Sequence, residues 1–115
     1  MPVINYTRGI RIADRAEMAR TWLSRLRGLM FRQGLPSGRC LVLSPCNSVH
    51  TCFMKFSIDV LFISKVGKVV HMLEEIPPFH FSPVVWGARS VIELPAQTIR
   101  STGTSLNDLI SIIPE

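Results

Sequence analysis

Four side chains that can bind metals or act as nucleophile and base lie close together in the sequence: Cys46, His50, Cys52 and Met54. In an extended strand, residues two apart project from one face, so His50, Cys52 and Met54 would line up. Imidazole, thiolate and thioether groups suit zinc or copper. The spacing lacks the paired cysteines and the fourth ligand of a structural zinc site, and free Cys and Met are ordinary core residues. We therefore expect reduced thiols, no metal and no cofactor.

His50 also invites a catalytic interpretation, with Cys46 or Cys52 as nucleophile and Asp59 as the orienting group. A nucleophile needs its imidazole within hydrogen-bond reach. Residues two apart on one strand point alongside each other and rarely meet in that geometry. We assign no catalytic residue. A hydrolase or metal-dependent enzyme that uses His50 with Asp59 or Glu93 stays as the alternative.

Asp59 interrupts the apolar run 58–63. A carboxylate among that many apolar side chains must be paired, hydrogen-bonded or facing a pocket. Arg89 is the natural partner because its guanidinium matches a carboxylate with two hydrogen bonds. We predict an Asp59–Arg89 pair, with His50 and Glu93 close enough to share one polar cleft. The cluster would either lock the fold or bind a small polar ligand or a protein segment.

The elements that must position these residues are mainly strands. Short apolar or β-branched segments, each bounded by turn signals, lie at 40–43, 49–54, 58–63, 69–73, 90–94 and 106–113. Val3 to Ile12 is expected to be an extended arm or an edge strand. The loop from Pro77 to Gly87 carries Phe79, Phe81 and Trp86, which would form a sticky patch or a sugar-stacking platform if they were exposed. We expect these aromatics instead to pin the loop to the core. Many short strands indicate a β-sandwich or a partly open barrel.

One principal helix is predicted over residues 16–27. Asp14-Arg-Ala-Glu17 has capping-box spacing, and apolar residues then recur at every fourth position. On this pattern Trp22, Leu23 and Leu26 face the core.

Positive charge is concentrated in the N-terminal third. Residues 1–39 hold eight Arg and two acids, whereas residues 40–115 are slightly acidic. A basic patch can bind nucleic acid, acidic lipid or an acidic partner. The Arg residues are spread singly, without interleaved aromatics that would stack on bases, so nucleic acid is not expected. We expect a solvated helix face. An accessory protein that interacts through this Arg-rich helix is a third functional class.

The length of 115 residues predicts a single domain. Hydrophobic residues make up 47% of the chain and charged residues 18%, which excludes an intrinsically disordered protein. No apolar run approaches the roughly 20 residues of a membrane span, and the N-terminus lacks the apolar core of a signal peptide. We expect a cytoplasmic protein from the chain as written. An exported form whose leader was removed is left open.

Four segments in sequence resemble the bacterial and archaeal family called domain of unknown function 192. They are Arg27–Arg32, Val49–Ile63, Gly67–Val70 with Pro77-Pro78, and Ala88–Ala96. The resemblance covers about residues 10–113. It implies a compact jelly-roll type of β-sandwich with helical decoration, and no established activity. Gln97 and Asn107 depart from the family pattern, since both stand where glycine is usual.

Overall fold

The computed structural model describes residues 1–114. Strands dominate this part of the chain, together with two short helices. The elements in order are β1 (Val3–Asn5), β2 (Ile10–Ala13), β3 (Arg15–Ala19), α1 (Trp22–Arg27), β4 (Arg39–Leu43), β5 (Ile58–Ile63), β6 (Val69–Ile76), β7 (Ser90–Pro95), α2 (Thr98–Thr102) and β8 (Ile110–Ile112). No helix among residues 1–114 is long and apolar enough to cross a bilayer.

The strands form two open sheets, with the orders β2-β1-β8 and β3-β4-β7-β5-β6. Val3, Ile12 and Ile110 of the smaller sheet share a core with Leu61 and Ile92 of the larger one, so the two sheets pack face to face. The prediction of a mainly β fold is confirmed. The β3–β4 pair is parallel, which departs from the all-antiparallel jelly roll that the resemblance implies.

The second face of the larger sheet is covered by α1 and long connecting segments. We call residues 20–35, 44–57 and 76–89 the aromatic cap. Leu29, Val49 and Met54 of the cap pack on Phe62 and Val91 of the sheet. Because the sheet is covered on both faces, every residue of β5 is buried. This explains why residues 58–63 form a continuous apolar run rather than an alternating one.

The helix prediction is wrong in its N-terminal half. Residues 15–19 form β3, which pairs with β4 through backbone hydrogen bonds. The helix begins only after Thr21, whose side chain and that of Ser24 form the capping box, and it ends at Gly28. Trp22 is 71% exposed and Leu26 50% exposed, so the predicted core-facing side chains face outward. The apolar spacing fits a helix, but strand pairing with β4 takes the first half of the segment.

Residues 49–54 do not form the predicted strand. They run through turns, with one isolated bridge between His50 and Phe81, and Phe53 has a φ of 61°. The strands predicted at 58–63 and 69–73 do form, and they pair antiparallel as the hairpin β5–β6. The N-terminal arm folds back on itself as the antiparallel pair β1–β2.

Gln97 and Asn107 both adopt a φ of 73°. Glycine takes this left-handed conformation without a steric penalty, whereas other L-residues do so rarely. The two departures from the family pattern therefore fall at turns whose backbone geometry favours glycine.

Candidate functional site

The predicted partner of Asp59 is not its partner in the structure. Asp59 is fully buried, and its two carboxylate oxygens accept hydrogen bonds from the backbone N–H groups of Glu75 and Ile99, each at 2.9 Å. These contacts tie β5 to the distorted end of β6 and to the start of α2. Both oxygens are satisfied by backbone donors, so Asp59 needs no guanidinium.

Arg89 lies at the other end of the same pair of strands. The register of β5 against β7 places Ile63 opposite Ser90 and Asp59 opposite Leu94, which separates Asp59 from Arg89 along the strands. Arg89 is exposed and borders a groove with Pro45 and Cys46. The predicted Asp59–Arg89 pair is therefore corrected: neither residue reaches the other.

Glu93 is a polar residue that the fold buries in the larger sheet. It lies in the middle of β7, opposite Leu41 on one side and Val60 on the other, and it is 2% exposed. Its Oε1 atom has no hydrogen-bond partner among residues 1–114. Burial raises the pKa of the Glu93 carboxyl to about 8, although the positive charge of Arg32 opposes that rise. At neutral pH most molecules therefore hold Glu93 as an uncharged acid.

A small cavity of about 40 Å³ adjoins Glu93 beneath the end of α1. Its walls include Gly28, Leu29, His50 and Met54. Gly28 has a φ of +48°, and a Cβ atom at this position would lie 3.3 Å from Glu93 Oε1. One water needs roughly 10–15 Å³ of such space, so the cavity holds two or three small atoms. Glycine at position 28 leaves that space open.

His50 forms part of the cavity wall with both ring nitrogens already used. Its Nδ1 atom accepts a hydrogen bond from the backbone N–H of Cys52 at 3.1 Å. In the neutral imidazole the proton is then on Nε2, which donates to the carbonyl oxygen of Leu26 at 3.1 Å. His50 thus fastens the last turn of α1 to the turn at residues 50–54. In this arrangement neither nitrogen is free for a metal or for proton abstraction.

The cavity shares walls with a larger cleft of about 340 Å³, to which His50, Val49 and Ser48 contribute as well. The outer cleft is bordered by Trp22, Leu26, Phe81 and Val84. The polar cavity at Glu93 and the cleft with the apolar border therefore lie side by side, and Arg25 lines both. This combination of many apolar walls and few polar groups is typical of small-ligand sites.

The thiols do not form a reactive or metal-binding group. Cys46 Sγ donates to the carbonyl oxygen of Ser48 at 3.0 Å, and burial raises the pKa of that thiol. Burial raises the pKa of the Cys40 thiol to about 12. The three cysteines are free, and the described part of the chain contains no cluster of three or more His, Cys, Asp or Glu arranged to hold a metal ion.

The structure brings together His50 and Glu93 and leaves out Asp59 and Arg89. Sequence reasoning missed Gly28 and the apolar walls of the cleft. The expectation that the aromatics of the 77–87 loop are pinned to the core is wrong: Phe81 is 77% and Trp86 86% exposed. The position of Gly28 just after the predicted helix indicates a helix terminus, but not a cavity beside Glu93.

Fold and site together define a mainly β protein with two packed sheets and a small cavity, lined by the buried Glu93, under a loop-rich cap. The chain belongs to the family called domain of unknown function 192, described as "Uncharacterized ACR", whose sequence profile matches residues 3–112.

Several known proteins are similar to this chain. A UPF0127 protein of Thermococcus sibiricus is 31% identical over 112 residues, which cover 94% of this chain and 72% of the relative. A UPF0127 protein of Thermococcus gammatolerans is 33% identical over 95% of this chain and 73% of its own length. The crystal structure of a protein of unknown function from Novosphingobium aromaticivorans matches with a TM-score of 0.87 and 22% identity, over 97% of this chain and 84% of that one. That likeness establishes the fold.

Proposed function

We propose that this chain is a single, non-catalytic domain that binds a small ligand with its polar end at Glu93. The observation that carries the proposal is the buried, unpartnered Oε1 atom beside a cavity. Burying a carboxyl oxygen without a hydrogen-bond partner lowers the free energy of unfolding. An apolar residue at the same position would not lower it in this way. A ligand group that hydrogen-bonds to Glu93 would offset this cost in the bound state.

The size and chemistry of the two compartments describe the ligand. The inner cavity admits a tip of two or three atoms that donates to or accepts from the carboxyl, such as a hydroxyl, amide or amine. The outer cleft offers Trp22, Leu26 and Phe81 to an apolar or aromatic body. The proposed ligand is therefore a small amphipathic molecule, or the equivalent end of a protein segment.

An enzyme that uses His50 with Asp59 or Glu93 is the alternative. The geometry supports it less, because Asp59 binds backbone donors elsewhere and both nitrogens of His50 are occupied. Glu93 would remain as an acid or base, without an imidazole that is free to activate a nucleophile. A pKa near neutrality fits general acid–base chemistry as well as binding, so chemical conversion of a bound probe has to be measured as well as its affinity.

A thermal-shift screen on the wild type and two variants tests the proposal. The probes are 3-phenylpropanol, 3-phenylpropylamine, 3-phenylpropionate and a set of monosaccharides, each offered to the wild type, Glu93→Leu and Glu74→Gln. We expect at least one probe to raise the melting temperature of the wild type and of Glu74→Gln, whose residue is exposed, but not that of Glu93→Leu. Isothermal titration calorimetry with the same probe should then show that Glu93→Leu binds it more weakly than the wild type does.

The stability of Glu93→Leu separates a binding role from a structural one. If Glu93 is kept for a ligand, the unliganded variant should be as stable as the wild type or more stable, because an apolar residue replaces an uncompensated polar one. Strong destabilisation, with no probe bound by the wild type, would sink the proposal. Turnover of a bound ester or amide probe that is lost in Glu93→Gln would favour the enzyme.

A further inference from the structure

The aromatic cap differs from the rest of the molecule in its charge. Its three segments contain no Asp or Glu, and every exposed acid of residues 1–114 lies elsewhere. Their cations are Arg20, Arg25, Arg27, Arg32, Lys55 and Arg89. Arg32 pairs with Glu17 outside the cap, and the other five have no carboxylate partner among residues 1–114. The cap therefore presents a positive surface, although the chain as a whole is only moderately basic.

The same surface is unusually apolar. Most of the large hydrophobic side chains that the fold leaves exposed belong to the cap: Trp22, Leu23, Leu26, Phe31, Phe53, Phe79, Phe81, Val84 and Trp86. Only a few lie outside it, namely Tyr6, Val66, Leu106 and Leu109. Exposed apolar residues scattered singly need no explanation, whereas a contiguous patch marks an interaction surface.

Most of the exposed residues of the cap are contiguous. The rings of Phe31 and Phe53 stack with centroids 5.6 Å apart, and Phe79 meets Phe53 edge-on at 5.7 Å. A shallow hollow then joins Phe53 to Leu26 and Phe81. The outer cleft continues from there to Trp22 and Val84. One apolar surface thus extends from α1 across the 50–54 turn to the 76–89 loop.

We propose that the aromatic cap docks this protein onto an anionic lipid bilayer. An interfacial surface of this kind combines aromatic and aliphatic side chains that enter the headgroup region with cations that contact lipid phosphates. Arg20 and Arg27 are exposed at the two ends of α1, beside Trp22 and Leu26, and their long side chains can reach outward from an apolar surface.

The distribution of the aromatics favours a bilayer over a linear acidic partner. Phe79 and Trp86 border neither the cleft nor the hollow, so a segment lying in the cleft would leave them in water. A nucleic acid would gain little from Leu23 and Val84, which offer no ring for base stacking. A bilayer has no fixed shape and spans more than the cleft, so it can also take up the aromatics that lie beyond the cleft.

Vesicle flotation tests this inference with the intact chain. The protein should float with vesicles of phosphatidylglycerol and phosphatidylcholine in equal amounts, float much less at high salt, and stay behind with phosphatidylcholine alone. Both tryptophans, Trp22 and Trp86, lie in the cap, so their fluorescence should shift to shorter wavelength on binding. Glu93→Leu should float like the wild type, because Glu93 is buried beneath the cap and does not reach its outer surface.

Paired variants locate the surface. Arg20→Gln and Arg27→Gln should each lower vesicle affinity about fivefold, and Phe81→Ser roughly tenfold or more. The matched controls Lys65→Gln and Val66→Ser, in the β5–β6 turn, should leave affinity unchanged. Thermal melts of each variant show whether it is folded.

Several outcomes would overturn the inference. They are absence of flotation with the anionic vesicles, equal losses in cap and control variants, and tighter binding to polyglutamate or duplex DNA than to vesicles. A concentration-dependent dimer in sedimentation that Trp22→Ser dissolves would assign the surface to a second copy of this chain instead.

Discussion

Gly28 and Glu93 are close neighbours in the wall of the inner cavity: a Cβ atom at position 28 would lie 3.3 Å from Glu93 Oε1. The contact comes from two elements far apart in sequence, the end of α1 and the middle of β7. It makes the length of α1 a determinant of the site, since the turn that follows the helix sets how much room the carboxyl has.

Gly28→Ala should destabilise the protein and close the cavity. A non-glycine residue at φ +48° costs about 1–3 kcal/mol, and the added methyl group presses on Glu93. Gly34→Ala is the matched control, because a Cβ there meets nothing within 4 Å and its φ is not positive. Urea melts should show a loss for the first variant and a change within about 0.5 kcal/mol for the second. Equal behaviour of the two would contradict the geometry of the Gly28 turn.

Asp59→Ala should be among the most damaging single substitutions in this protein. It leaves the backbone N–H groups of Glu75 and Ile99 without their buried acceptor, at a cost of about 3–5 kcal/mol. Arg89→Ala should change stability by no more than about 0.5 kcal/mol, since Arg89 is exposed and does not contact Asp59. A double-mutant cycle between the two should give no coupling. A coupling energy of several kcal/mol would show that Asp59 and Arg89 interact, as the sequence predicted.

The contrast between these two variants shows what the sequence can predict of this site. An acid inside an apolar run signals burial and the need for a partner, and Asp59 has both. Its donors are backbone N–H groups 16 and 40 residues away, which no side-chain pattern identifies. Glu93 was predicted only as a member of the same cluster, because whether a strand residue faces a cavity depends on the loops that cover it.

The strands illustrate the same limit for the fold. β4, β5 and β7 follow from β-branched and apolar composition, and the β5–β6 hairpin follows from its turn. Helical spacing misplaced residues 15–19, because parallel pairing with β4 is a long-range interaction that local periodicity does not contain. The aromatic residues of the cap are far apart in sequence, so no local pattern predicted that they meet on one surface.

Trp22→Ala should leave stability almost unchanged. If Trp22 were a core residue, as the sequence predicted, the substitution would cost roughly 3–5 kcal/mol. With 71% of the side chain exposed, little apolar area is lost, and we expect a change below about 1 kcal/mol in urea melts. Leu29→Ala is the comparison, since Leu29 is buried in the core under the cap, and it should cost about 2–5 kcal/mol. A large loss of stability in Trp22→Ala would show that the Trp22 side chain is buried in the core.

The thiols should differ in reactivity. Cys40 is buried and its pKa is raised to about 12, so it should resist iodoacetamide in the folded protein at pH 8. Cys52 is partly exposed and should be alkylated first, with Cys46 slower because burial raises its pKa. Mass spectrometry of peptides from a time course gives the order, and all three should react in urea. Early labelling of Cys40 would show that β4 opens readily.

The pH dependence of stability should report the buried carboxyl directly. The pKa of Glu93 rises from 4.5 to about 8 on burial, so between these values the folded protein holds a proton that the unfolded chain has released. Since the folded state then binds more protons, the free energy of unfolding falls as pH rises through this window and levels off above pH 8. Each pH unit contributes about 1.4 kcal/mol, so the full effect reaches roughly 5 kcal/mol.

Glu93→Gln has no such proton, and its stability relative to the wild type should therefore increase from pH 5 to pH 8. Urea melts of both proteins and of the exposed control Glu74→Gln, at pH 5, 6.5 and 8, give the comparison. If the wild type and Glu93→Gln have parallel pH profiles, then Glu93 ionises as it does in water, and the cavity is open to solvent rather than closed by α1.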